Sequence, residues 1–548
     1  MHHLVFFFLM VLSSCGGGGG GGGGGDSTVP PANSGNNGDD SDDTPIRDDF
    51  ASGVARFQDV TSALGLDYQV TQIEQVELGA FSGGVALDDI DNDGQLELYV
   101  THGRNETGSL FSYDGTRFAR LENNNGIDPS TMDRAGYFVD IDANGFKDFV
   151  SVQYEAIQVF MNDGSGQFSE SLSSQIYHER KTFSLAASDY DVDGDVDLLF
   201  TRWGSFYDPA QRLTEYLWQN QGDGVFFDVS DTVAVDSEPG NLGDLMPEFS
   251  FTANFADIDN DGYPDMLVSS DFERSQVLRN EAGLRFIDAT VKNVINDQRG
   301  MGGAVGDYDR DGDLDWFVSS IHDPEGSDAE GALDGNRLYR NADGLGNFED
   351  VTDEAGVREG YWGWGSCFAD FDNDGHLDLF HTNGAEDFAD PFEDDPSRLF
   401  MSNGDGTFTE KSGESGVDHT AQGRGIICAD YNDDGRIDIF IANNGRAPTV
   451  YGNTTDNDNH YIAIDLVGIG ENPDAIGARV IIESASGEQL REVQLGTWYL
   501  SQGPQTLHFG LGEDDEVSRI HIRWPGPGNP ASIVENLTVD QLVTIEHP

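Results

Sequence analysis

A nine-residue pattern, D-x-D-x-D-G-x-x-D, recurs seven times along the chain, with single substitutions in three copies, and constrains it more than any other feature. The copies start at Asp89, Asp140, Asp189, Asp257, Asp307, Asp370 and Asp430, so successive starts lie 51, 49, 68, 50, 63 and 60 residues apart. Such spacing predicts a repeat protein whose units bury their apolar faces against one another.

The spacing inside each copy has a chemical reason. Calcium is a hard cation that takes about six to eight oxygens, and a loop offering side chains at alternate positions, one carbonyl and a late carboxylate can wrap it. The side-chain ligands would be Asp89, Asp91, Asp93 and Glu97; Asp140, Asp142, Asn144 and Asp148; Asp189, Asp191, Asp193 and Asp197; Asp257, Asp259, Asp261 and Asp265; Asp307, Asp309, Asp311 and Asp315; Asp370, Asp372, Asp374 and Asp378; and Asp430, Asn432, Asp434 and Asp438. The seventh-position carbonyl would come from residues such as Gln95, Asp195, Tyr263, Asp313, His376 and Arg436. The sixth-position glycine, as at Gly312, allows the sharp turn. Asn144 and Asn432 each remove a formal charge. One such loop alone would read as an ordinary Asp/Gly turn; seven near-regular copies read as up to seven Ca2+ sites.

A helix-loop-helix calcium site would need a glutamate at position twelve and flanking helices. Here apolar runs such as Leu96–Val100, Leu198–Phe200 and Met266–Val268 follow the loops instead and read as strands. Each repeat has a second signature, as in Leu338-Tyr339-Arg340-Asn341 followed by Phe348-Glu349-Asp350-Val351-Thr352. That makes about four strands per unit, the size of a propeller blade. The fold class is therefore all-β, a seven-bladed propeller over residues 55–458. The seventh unit lacks its Phe-x-x-Val-Thr strand while the chain offers a spare one at Arg56–Thr61. Pairing of the two would close the ring and leave no open seam.

These segments, with Phe81–Asp89 and Met301–Asp307, resemble FG-GAP/VCBS repeats of integrin-alpha-like propellers. The resemblance implies calcium in the loop between a blade's first two strands. Residues 459–548 change character, alternating apolar and polar residues between Gly/Pro turns, and read as a small β-rich domain that includes Tyr499-Leu500-Ser501-Gln502. This stretch resembles the ASPIC/UnbV domain, and the whole resembles the cartilage acidic protein-like family.

The apolar run Leu4–Leu12 is too short to span a bilayer and precedes Leu12-Ser13-Ser14-Cys15, which resembles a bacterial lipobox. The resemblance implies lipidation at Cys15 and export to the outer membrane or cell surface, with the periplasmic face as the alternative. Residues 16–54, opening with an unbroken glycine run, read as a tether. A formal net charge of -71 argues against nucleic acid as partner and leaves the lipid as the only membrane contact. Seven calcium ions would offset only a minor part of it.

Alternating strands place the calcium loops on one rim and the longer, more varied loops on the other, where a ligand would bind. Arg134, Arg180, Arg299 and Arg424 fall six to nine residues before their calcium loops and could gather at the channel mouth as a site for an anionic or carboxylate ligand; local pairing with surplus carboxylates is the alternative. The partner would be a protein or polysaccharide. No catalytic motif stands out. A metal-assisted carbohydrate-active enzyme of lyase or dehydratase type is the competing reading, and would need an open metal position beside His102, His322 or His381. Cys367 and Cys428, three and two residues before adjacent calcium loops, would face opposite sheet surfaces and are expected as buried free thiols rather than a disulfide.

Overall fold

The computed structural model describes residues 53–70, 79–102, 107–130, 132–153, 156–171, 176, 182–203, 217–222, 224–230, 232–233, 249–326, 333–385, 392, 394–496, 498–526, 528 and 530–548. Seven four-stranded antiparallel sheets lie among the N-terminal repeats of the described residues, each running from a first strand to a fourth in hydrogen-bonded order. The first strands are Val85–Asp88, Asp133–Val139, Thr182–Ser188, Ser250–Ala256, Gly303–Gly306, Gly363–Ala369 and Gly423–Ala429, and each contacts the next until the last meets the first. The sheets therefore form a closed ring.

The burial pattern explains the strand sequences. First strands such as Thr182–Ser188 are buried at every residue, because both faces are covered by neighbouring sheets. Fourth strands such as Phe118–Arg120 bury only the leading Phe and expose the next two residues, as befits an outer edge. The ring closes on the N-terminal strand: Phe57, Gln58 and Asp59 pair antiparallel with Asn453, Gly452 and Tyr451. Apolar clusters fill the gaps between sheets, such as the one joining Ala253, Phe255 and Met266 to Ala186, Leu199 and Leu217.

Face-to-face stacking also corrects the reading of the cysteines. Cys367 and Cys428 form a disulfide, with their Cα atoms 6.6 Å apart. They do sit in the first strands of adjacent sheets, but opposite surfaces of adjacent stacked sheets look at each other across the shared cluster, so opposite facing brings the two sulfurs together.

The C-terminal domain is built of two sheets. In one, His460–Val467 lies between Leu507–Gly512, antiparallel, and Gln541–Glu546, parallel; the other runs Gly487–Glu492, Arg479–Ser484, Glu516–Arg523, Ala531–Thr538. Alternating residues such as Ile462, Ile464, Val480 and Ile482 form the core between them. This domain sits on the rim of the aspartate loops: Arg310 Nε donates to the Glu488 carbonyl (3.1 Å), Asn459 Nδ2 to the Asp372 carbonyl (2.8 Å) and Arg479 to the Asp257 carbonyl (3.2 Å).

Tyr499–Gln502 is not a strand of that domain. Residues 495–496 and 498–502 enter the central channel of the ring, where Leu495 bridges Ala187 and Gln502 bridges Ala86. The Tyr499 ring lies 5.7 Å from Phe183, 5.9 Å from Phe251 and 5.6 Å from Trp364, on three different sheets, and its hydroxyl donates to the Phe81 carbonyl (2.7 Å). Gln502 accepts the Phe138 N–H (2.6 Å) and donates to Asp88 Oδ2 (3.0 Å). Gly84 and Gly425 permit this insertion: a Cβ on either would stand 2.1 Å from Leu500 O or Ser501 Oγ. Among the described residues no helix is long and apolar enough to cross a membrane.

Candidate metal centres

Each aspartate loop spans the turn from a first strand to a second, and its ninth residue already opens the second strand, as Glu97, Asp148, Asp197, Asp265, Asp315, Asp378 and Asp438 do. The first carboxylate closes the loop on itself. Its Oδ2 accepts the N–H of the sixth-position glycine, at 2.9 Å for Asp89, 2.7 Å for Asp140, 3.0 Å for Asp189 and 2.7 Å for Asp430. The fourth residue is left-handed in all seven loops, Asn92, Ala143, Val192, Asn260, Arg310, Asn373 and Asp433 having φ between 54° and 62°. For β-branched Val192 that conformation is costly, so the surrounding hydrogen bonds must hold it there.

The arrangement brings first-, third- and ninth-position carboxylates together. Asp89, Asp91 and Glu97 have oxygens within 4.8 Å of one another, as do Asp140, Asp142 and Asp148; Asp189, Asp191 and Asp197; and Asp257, Asp259 and Asp265, while Asp307 and Asp309 gather with Asp311. Fifth-position side chains also cap the turn: Asp93, Asn144, Asp193, Asp261, Asp374 and Asp434 accept the N–H of the seventh residue.

These residues fit calcium. The donors are all oxygen, and at the third position Asp91 Oδ1, Asp191 Oδ1, Asp309 Oδ1 and Asp372 Oδ1 are buried where no protein N–H or O–H reaches them. Burial, reinforced by neighbouring carboxylates, pushes Asp148 up to about 8 and Asp189 to about 7. Burial raises Asp307 to about 7, against the opposing pull of Arg491. A bound divalent cation would favour the ionised forms. The loop at Asp257 differs, because Arg523 pairs with Asp257 and Arg279 with Asp259.

The sequence reading missed how these loops are tied together. The asparagine ending a third strand reaches the second-position carbonyl of the preceding sheet's loop: Asn162 to Ile90 (2.7 Å), Asn220 to Ile141 (3.0 Å), Asn280 to Tyr190 (2.7 Å), Asn341 to Ile258 (2.8 Å) and Asn453 to Phe371 (2.8 Å). The backbone N–H of the same residue donates to the ninth-position carboxylate, at 2.6 Å from Asn280 to Asp265. The Leu-Tyr-Arg-Asn signature carried this signal; its partner did not show, because it lies 72 to 90 residues away.

Arg134 and Arg424 are buried. Arg134 donates to the Thr182 carbonyl (3.1 Å) beside the Phe183 ring; Arg424 donates to the carbonyls of Ala80 (2.9 Å) and Gly384 (3.0 Å) and lies 4.1 Å from the centre of the Trp364 ring. Arg299 stacks on Phe272 and faces Asp271. Arg180 and Cys15 lie outside the described residues. His102 meets the Tyr68 hydroxyl (2.9 Å) and His381 lies between Asn383 (2.7 Å) and Asn336 (3.1 Å). Burial holds both imidazoles down at about 4. His322 opens a two-residue strand paired with Leu333–Asp334.

Comparison with known proteins places this geometry. A family model for the FG-GAP-like repeat matches residues 140–200, 257–318 and 328–381, and one for ASPIC and UnbV matches 468–548. Cartilage acidic protein 1 of Homo sapiens is 24% identical over 81% of this chain and 68% of that protein; its Mus musculus counterpart is 24% identical over 85% of this chain and 64% of that protein. The chain thus spans about two thirds of the length of these relatives. A solved structure of an Agrocybe aegerita protein recognising non-reducing terminal N-acetylglucosamine aligns with a TM-score of 0.40 and 16% identity, covering 74% of this chain and 94% of that chain.

Proposed function

The chain carries FG-GAP-like repeats followed by an ASPIC and UnbV domain, and on that premise we propose that it is a calcium-stabilised extracytoplasmic module that binds a protein or polysaccharide ligand. The observation that carries the calcium reading is the set of buried third-position carboxylate oxygens that no donor in the protein reaches. Calcium would ligate these loops, offset their mutual repulsion and stiffen the ring. The C-terminal domain occupies the aspartate-loop rim and residues 498–502 the channel, which leaves the opposite loops as the face for a ligand.

Export and lipid anchoring through Cys15 belong to the same reading. The Cys367–Cys428 disulfide supports an oxidising compartment. The test is a thermal melt of the protein in excess calcium and in chelator, with metal content by mass spectrometry. The expected result is a large calcium-dependent rise in melting temperature with about five to seven ions bound. An unchanged melt with no bound calcium refutes the reading. Glycan and protein arrays probed with the calcium-loaded chain then search for the ligand.

A further inference from the structure

Where the C-terminal domain meets the second calcium loop, one lysine and two aspartates from distant parts of the chain converge. Lys147 Nζ lies 2.6 Å from Asp474 Oδ1 and 3.6 Å from Asp88 Oδ2. The three side chains are 11%, 16% and 10% exposed. Gln505 Oε1 accepts from Lys147 Nζ at 2.7 Å, and Gln502 Nε2 holds Asp88 Oδ2 at 3.0 Å.

The sequence marks Lys147 as unusual. It is the eighth residue of its loop, where the other six copies carry Leu96, Val196, Pro264, Leu314, Leu377 and Ile437. The chain contains only four lysines against 25 arginines. For a plain buried ion pair arginine is the better residue, because its planar fork binds a carboxylate bidentately and desolvates more easily. What lysine offers instead is a primary amine that becomes a nucleophile once it gives up a proton.

We propose that Lys147 and Asp474 are joined by an isopeptide bond. In the step, Nζ of Lys147 attacks Cγ of Asp474, which it already meets at Oδ1 (2.6 Å). The new C–N bond forms and one C–O bond breaks. The departing oxygen leaves as water, taking the two protons that Nζ loses. Ammonium plus carboxylate thus becomes neutral amide plus one water, with no oxidant or cofactor required.

Two physical terms favour the product. Held in contact, the amine and carboxyl react at an effective concentration on the order of 10⁵ M or more, which offsets the dilution that opposes condensation in water. The amide also removes two opposite charges from a largely buried site, where ion pairs carry a heavy desolvation cost. The bond would fasten the C-terminal domain covalently to the ring beside the inserted segment, and it stands whether or not the loops carry calcium.

The test is peptide mapping of the full-length protein after denaturation, reduction and trypsin digestion. A linked Lys147 blocks cleavage at that residue, so the expected product is a branched species joining residues 135–180 to 447–479, lighter than their sum by one water. Separate peptides 135–147 and 447–479 at full mass would overturn the proposal. The Lys147→Arg variant keeps an ion pair and should give only unlinked peptides from segment 447–479.

Discussion

Replacing Asn280 by alanine tests the tie between neighbouring sheets. The side chain is 3% exposed; its Nδ2 donates to the Tyr190 carbonyl (2.7 Å) and the Pro264 carbonyl (3.0 Å), and its Oδ1 accepts the Gly283 N–H (2.9 Å). Alanine removes all three bonds, leaves the backbone bond to Asp265 in place, and strands two carbonyls and a turn N–H. A net hydrogen bond contributes about 1 kcal/mol, and a buried partner left unsatisfied raises the cost to about 1–3 kcal/mol, so the expected loss is roughly 3–5 kcal/mol. Tyr190 is the second residue of the loop holding Asp189 and Asp191, so calcium affinity at that loop should fall as well. The assay is urea unfolding in saturating calcium, beside a calcium titration. Asn280→Asp keeps an acceptor for Gly283 but turns a carboxylate oxygen toward two carbonyls, and should be no more stable than the alanine variant. The reasoning is refuted if Asn280→Ala unfolds within about 0.5 kcal/mol of the wild type, or if Asn280→Asp is fully stable.

Asp148, pushed from 3.8 to about 8, and Asp189 and Asp307, each raised to about 7, bind more protons in the metal-free fold than in the unfolded chain across that interval, so stability in chelator should fall as pH rises from about 4 to about 8. A chelated melt that is flat from pH 5 to pH 8 would show that these carboxylates are not desolvated as described. Tyr499→Ala empties the channel between Phe183, Phe251 and Trp364 and should cost about 3–5 kcal/mol with a red-shifted tryptophan emission; an unchanged spectrum and melt would mean that Tyr499 does not fill the channel. Reducing the Cys367–Cys428 bond, or replacing both residues by serine, should cost about 2–5 kcal/mol, read as a melting shift between oxidised and reduced protein. Equal melts in both states would contradict a disulfide that constrains the sixth and seventh sheets.

Much of the architecture was written locally. The alternate aspartates at Asp307, Asp309 and Asp311, the glycine at Gly312 and the apolar strand after it all act within one turn, so their spacing carries their geometry. The spare strand at Phe57–Asp59 also showed, since a missing repeat element and a leftover one match by pattern alone. Partners that are distant in sequence did not show. Cys367 and Cys428 pair only because stacked sheets turn opposite faces toward each other, a relation that no single strand encodes. Tyr499–Gln502 alternates like any strand, yet its neighbours are the walls of a channel made by seven separate units. Arg134 and Arg424 read either as charges for a ligand or as locally paired, and the carbonyls and rings they meet, Thr182, Phe183, Gly384 and Trp364, come from neighbouring segments that the sequence did not point to. Lys147 was not singled out in the sequence reading, and its meeting with Asp474 required the C-terminal domain to settle on the aspartate-loop rim. Sequence by itself determined the turns, strands and repeat, because these follow from residues a few positions apart; the tertiary structure alone decided what each surface touches, because contact across hundreds of residues depends on how closed sheets pack rather than on any local preference.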